Sequence, residues 1–238
     1  MEYKKPNARP GVEENMSDPK IVSLCKGLPK NISYNGKDFL SGIWKEEADE
    51  LVVRSAKIDD DDVANHAYHG GPDRVVCAYP SEHYTHWEKR FGQPLTPSAF
   101  GENLTLSGMT EEQVCVGDVY QIGETILQVS QGRFPCATIN KRNNNNLLLK
   151  AVVEMGYTGY FFRVLQEGTI RPDSAVTLLE PHPKRVTVAS IHHLYFHNQS
   201  LTEETIAHML EVEELALPWR NKLLEKQQQL AKGTTHAN

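Results

Sequence analysis

Short runs in which apolar and polar residues alternate fill most of the chain, and only towards the C-terminus does the period lengthen to that of helices. Ile21-Val22-Ser23-Leu24 opens the series, followed by Ile32-Ser33-Tyr34 and Lys37-Asp38-Phe39-Leu40 on either side of Asn35-Gly36. Asn-Gly between two such runs predicts a tight hairpin, since both turn positions must take φ > 0. Residues 51–53, 75–79, 115–122, 126–129, 160–165 and 176–179 are further strand candidates. They are rich in Val, Ile and aromatics and are parted by turns such as Val116-Gly117-Asp118. Two helices interrupt them. Ser81 can cap a helix over 81–91, where Tyr84, Trp87 and Phe91 recur three and four apart, and a second covers 147–155, stopped by Gly156. A regular strand–helix repeat, the mark of a doubly wound sheet, is absent. The pattern predicts a mainly β, barrel-like domain with helices packed outside it.

Beyond Pro181 and Pro183 the period is helical. Residues 188–197 make one candidate, and Ser200-Leu201-Thr202-Glu203 spells a capping box for a second over 201–212. Pro218 suits the first turn of a third, reaching about residue 230. The organisation expected is a disordered polar tail at 1–19, a β-barrel domain at 20–183, a three-helix module at 184–230 and a second tail at 231–238.

Composition narrows the class. The 238 residues carry 25 Lys plus Arg against 31 Asp plus Glu, a net charge of −6. This balance argues against nucleic-acid or membrane-surface binding over the whole chain and leaves room for a local basic site. No apolar run approaches the roughly 20 residues of a membrane span. Residues 1–10 are charged with no apolar stretch behind them, unlike a secretory signal. A soluble, cytoplasmic protein is expected. The four cysteines include no C-x-x-C pair, which excludes a zinc ribbon or thioredoxin-type motif and fits a reducing compartment.

Context then separates the cysteines. Cys25, Cys77 and Cys115 fall inside apolar strand runs, where packing accounts for them. Cys136 instead follows Val129-Ser130-Gln131-Gly132-Arg133-Phe134-Pro135. Pro135 stiffens the loop that presents the thiol, and Arg133 can supply a field that favours thiolate. An ordinary half-buried cysteine is the competing account at even weight. A second constellation is Tyr68-His69-Gly70-Gly71-Pro72-Asp73-Arg74, whose adjacent glycines can form a nest of N–H groups for an anion, with His69 and Arg74 as further donors. A plain turn into the next strand explains it as well. In Phe100-Gly101-Glu102-Asn103-Leu104, polar Glu102 and Asn103 sit among apolar neighbours, as a hydrogen-bonded turn or as ligand contacts. No Walker or G-x-G-x-x-G spelling occurs, and His193 and His197 lack the glutamate of H-E-x-x-H. Asp59 to Asp62 does not spell an EF-hand and reads as a solvated turn.

Taken in order, these segments resemble the MOSC domain family (molybdenum cofactor sulfurase C-terminal domain), in its stand-alone YiiM-type form. The matching stretches are His69-Gly70-Gly71-Pro72-Asp73-Arg74, Val76-Cys77-Ala78-Tyr79-Pro80-Ser81-Glu82-His83-Tyr84 and Phe100-Gly101-Glu102-Asn103-Leu104-Thr105. They continue through Val116-Gly117-Asp118, the loop ending in Cys136 and Thr158-Gly159-Tyr160-Phe161-Phe162-Arg163-Val164. Ala216-Leu217 followed by Trp219-Arg220 resembles the three-helix module of that subfamily. Two departures stand out. Gly132 and Phe134 replace the first proline and the glutamine of a Pro-Arg-Gln-Pro-Cys pattern, and the acidic segment Asp59-Asp60-Asp61-Asp62-Val63-Ala64-Asn65 stands in place of a Gly-Asp-containing loop ending in Ala-Asp.

The resemblance implies a MOSC-type β-barrel, like the pyruvate kinase barrel, that binds the molybdenum cofactor (molybdopterin with Mo). It implies Cys136 as the protein thiolate on the metal, and His69, Gly70, Gly71, Asn103 and Arg133 as cofactor contacts. It further implies an oxidoreductase that reduces N-hydroxylated compounds, hydroxylamines and N-hydroxylated bases, with electrons from a separate flavoprotein or other reductase. No nucleic acid, membrane or pyridoxal phosphate binding is expected, and an oligomer is compatible with the sequence. Two alternatives stay open: a sulfur carrier using a persulfide on Cys136, and a cofactor-binding module without activity.

Overall fold

The computed structural model describes residues 18–234; residues 1–17 of the expected N-terminal tail and residues 235–238 of the C-terminal one lie outside it. The first strands are β1 (Lys20–Lys26), β2 (Lys30–Tyr34), β3 (Lys37–Ser41), β4 (Glu46–Glu47), β5 (Leu51–Arg54) and β6 (Lys57–Ile58). They are followed by β7 (Val76–Pro80), β8 (Leu104–Ser107), β9 (Val119–Ile122) and β10 (Thr125–Gly132). The last are β11 (Tyr160–Gln166), β12 (Gly168–Ile170) and β13 (Val176–Glu180). The helices among them are α1 (His66–His69), α2 (Ser81–Phe91), α3 (Thr138–Arg142) and α4 (Leu148–Met155), and the C-terminal ones are α5 (Val188–His197), α6 (Glu203–Leu210) and α7 (Leu217–Thr234).

Eight strands form one sheet in the order β13-β9-β10-β11-β7-β8-β1-β4. The closed MOSC-type barrel expected from the sequence does not form: the mixed sheet curls through 204° and stops as an open half-barrel. Its edges explain this. β4 is two exposed glutamates long and extends no ladder, while β13, at the far edge, leads into the C-terminal helices. Alternation decides which face of a strand is buried; closure depends on whether the edge strands meet, which no local pattern encodes. Within the sheet only β7 and β8 run parallel, since α2 crosses between them. β2 and β3 form the hairpin at Asn35-Gly36, and β12, β5 and β6 a small separate sheet.

Several local expectations shift for identifiable reasons. The strand expected over 115–122 begins only at Val119, because the Asp118 carboxylate accepts from the Cys115 N–H and closes a turn there. β10 continues through Gly132 instead of ending at Val129, since Gln131 and Gly132 pair with Phe161 and Tyr160 after a bulge. The cap of α6 is the Thr202 hydroxyl, which accepts from Thr205 N–H at 3.1 Å. α7 passes through the start of the expected tail to Thr234, continuing a run of good helix formers from Lys226 to Lys232.

The core explains how the C-terminal helices sit. Leu127, Val129, Tyr160 and Phe162 of the sheet belong to one apolar cluster with Ile191, Leu194, Ile206, Met209, Trp219 and Leu223 of the helices. A second cluster joins Tyr79, Trp87 and Phe100 to Ile139, Leu148 and Val152, so α2, α3 and α4 pack together on the sheet's other side. The cysteine loop runs between these two cores.

Candidate functional site

The end of β10 places Cys136. Ser130 Oγ donates to the Asp73 and Phe161 carbonyls, and Arg133 N–H donates to the Gly159 carbonyl at 3.0 Å, so the chain is held on several sides as it leaves the sheet. Pro135 then leads into Cys136, whose carbonyl accepts from Ile139 N–H at 3.2 Å as α3 begins. Cys136 is half-buried, whereas Cys25, Cys77 and Cys115 are buried.

Cys136 lines a cavity of about 680 Å³. All six residues expected from the sequence, His69, Gly70, Gly71, Asn103, Arg133 and Cys136, line it. Arg133 brings its Nη1 to 3.9 Å from Cys77 Sγ, and its charge acts on both Cys77 and Cys136. Arg74, also on the wall, donates to the Tyr68 carbonyl at 2.6 Å. Neither guanidinium forms an ion pair among the described residues. At the rim, His69 is held below the ordinary histidine pKa by lost hydration and then by the charges of Arg133 and Arg74. Three cationic or donor side chains therefore converge on one part of the wall, whose other part carries Asp60, Asp61 and Asp62; the basic part is suited to an anion.

The Gly-Gly turn contributes less than a full nest. Gly70 N–H donates to the His66 carbonyl at 3.2 Å, closing α1, and so is already used. Gly71 sits at φ 109°, a backbone state that side-chain-bearing residues avoid, and a Cβ there would meet open space. Asn103 is also committed to the fold: its side-chain oxygen accepts from Cys77 N–H at 3.1 Å and its amide donates to the Cys25 carbonyl at 3.2 Å. Neighbouring Glu102 is fully buried and takes hydrogen bonds from Tyr84, Phe100 N–H and Thr105.

Sequence reasoning missed three features of this cavity. Cys77 packs in the core and lines the site at once; burial, opposed by Arg133, pushes its thiol up to about 11, so it rests protonated. Asp61 is not in a solvated turn. It is paired with Lys45 inside the cavity wall and accepts from Gly27 N–H at 2.8 Å. A lone lysine in the apolar run Ile43-Trp44-Lys45 was the available signal. Leu28 and Leu40, both more than half exposed, add an apolar lip. His83 and His197 lie elsewhere. His83 Nε2–H donates to buried Glu111 at 2.6 Å, and His197 meets the Val153 carbonyl. Among the described residues no group of three or more His, Cys, Asp or Glu could hold a metal ion, and no helix is long and apolar enough to cross a membrane.

Comparison with known proteins agrees with this geometry. Residues 65–177 match the MOSC domain and residues 186–233 the YiiM-like 3-alpha helix domain. YflK of Bacillus subtilis, an uncharacterized protein, is 38% identical over 212 residues, covering 88% of this chain and 95% of its own. The crystal structure of YiiM from Geobacillus stearothermophilus is 35% identical with a TM-score of 0.74, over 88% of this chain and 99% of that one. A protein of Gibberella moniliformis named as a reductase is 36% identical over 186 residues, covering 75% of this chain and 31% of its own. MOSC domains are associated with the molybdenum cofactor. With a half-barrel that builds its cavity around a single half-buried cysteine, and with helices that match the C-terminal module, the chain belongs to the MOSC-domain family in its YiiM-like form.

Proposed function

We propose that this cavity holds the molybdenum cofactor and that the chain reduces N-hydroxylated compounds there. The observation that carries the reading is the sharing of one cavity by half-buried Cys136 and two arginines, Arg74 and Arg133, that form no ion pair among the described residues. The residues fit such a group: a thiolate suits a soft metal, and paired arginines suit the phosphate of a pterin tail. Cys136 would hold the metal, while Arg133, Arg74 and His69 would hold the anionic tail. When bound, the group supplies two-electron redox chemistry that side chains cannot.

The chain's own residues would prepare that chemistry. Arg133 keeps positive charge beside Cys136 and Cys77. The Lys45–Asp61 pair adds a polar but neutralised wall. Leu28 and Leu40 offer apolar surface to the body of a small substrate. The overall conversion takes R–NHOH, two electrons and two protons to R–NH2 and water. The electrons come from a separate flavoprotein or other reductase, since the sequence carries no dinucleotide fingerprint. The reductase name of the Gibberella moniliformis relative, of which the matched part is 31%, supports this class of reaction.

Metal analysis of protein purified without oxygen tests the reading, followed by turnover of a hydroxylamine with a supplied electron donor. Molybdenum near one per chain is expected in the parent, and loss of both metal and turnover in Cys136→Ser. Full metal loading and full activity in that variant would overturn the assignment.

A further inference from the structure

The two positions at which the cysteine loop departs from the related pattern both face the C-terminal helices. At Gly132, any Cβ would come within 2.3 Å of His192 Nε2 on α5, and the Gly132 carbonyl accepts the Trp219 indole N–H of α7 at 2.7 Å. At Phe134, the ring stacks on Trp219 with centroids 4.1 Å apart and planes 16° from parallel. Tyr195 and Phe196 of α5 close on it edgewise, and Lys222 Nζ lies 4.9 Å from its centroid. The residue between them goes the other way. Arg133 is tied to Gly159 by its N–H and sends its guanidinium to the cavity beside Cys77. The loop is thus a strap held on one side by aromatic packing while Arg133, and two residues past Phe134 also Cys136, line the other.

We infer that Phe134 and Trp219 are positioning residues for Cys136: the C-terminal helices fix the thiol in the cavity through this stack. The sheet alone holds the loop only as far as Arg133. Between there and the first turn of α3, where the Cys136 carbonyl accepts from Ile139 N–H, the Phe134 ring is the side-chain anchor, wedged between Trp219, Tyr195 and Phe196. Removing it frees the segment that carries Pro135 and Cys136, while Cys25, Cys77 and Cys115 stay in the sheet core. The paired change at 132 and 134 then has one physical cause. A glycine makes room for His192 and an aromatic ring replaces a polar side chain, so that the loop can dock against these particular helices. The inference rests on the reading of Cys136 as the working thiol, but its test reads thiol exposure in protein without cofactor and so can fail separately.

The test labels metal-free protein with N-ethylmaleimide at neutral pH and follows each cysteine by peptide mass spectrometry. In Phe134→Ala, loss of an aromatic stack is expected to raise the labelling rate of Cys136 about five- to tenfold. The other three cysteines should stay within twofold of the parent. Phe134→Tyr, which keeps the ring, should return Cys136 to within twofold. An unchanged Cys136 rate in Phe134→Ala would overturn the inference. So would a common rise at all four cysteines, which would make the stack a support of the whole fold rather than of the loop. In cofactor-loaded protein, Phe134→Ala should lower kcat with KM little changed, because the displaced group is the thiol and not the substrate lip.

Discussion

His192 offers the most direct measure of how tightly the helices close on the cysteine loop. It is fully enclosed, lies with Nδ1 2.8 Å from Thr158 Oγ1 and directs Nε2 towards Gly132. Burial drives its pKa from 6.5 down to about 4, against the opposing pull of Glu111. Above pH 6.5 the residue is neutral in both folded and unfolded chains and adds no pH dependence. Below that value the unfolded chain binds a proton that the folded chain refuses, so stability falls with pH until the folded pKa is reached. The loss is ~1.4 kcal/mol per pH unit, or roughly 2 kcal/mol by pH 5. His192→Gln keeps bulk and a hydrogen-bonding end but removes the titration. Urea unfolding of parent and variant at pH 7.5 and pH 5 should show the parent losing roughly 2 kcal/mol more between the two conditions. Equal losses would refute the argument, because a neutral imbedded imidazole could not then be what the folded state holds.

Two further outcomes follow from contacts around the cavity. Gly132→Ala places a Cβ 2.3 Å from His192 Nε2, so calorimetry should show a lower Tm, corresponding to ~1–3 kcal/mol for overpacking; an unchanged Tm would mean that α5 yields freely. Asp61→Asn leaves the Lys45 ammonium without its partner at a site where the two side chains are only 5% and 9% exposed. A loss of ~3–5 kcal/mol is expected in urea unfolding, and a loss below about 1 kcal/mol would show that Lys45 reaches water.

The sequence by itself determined the local elements and pointed to a candidate site. Alternation around Asn35-Gly36 specified the hairpin, the Tyr84–Trp87–Phe91 spacing specified α2, and the setting of Cys136 singled out one thiol of four. These are short-range matters, governed by turn geometry, helical period and the residues directly beside a side chain. Only the tertiary structure decided that the sheet stops as a half-barrel, since edge pairing joins strands far apart in sequence. Only it put Lys45 beside Asp61 and Cys77 beside Arg133, where charge and burial depend on neighbours brought in by other elements. Gly132 and Phe134 show the division most clearly. In the sequence they read as losses from a loop pattern; in the fold they are the surface on which His192 and Trp219, some 60 and 85 residues onward, come to rest.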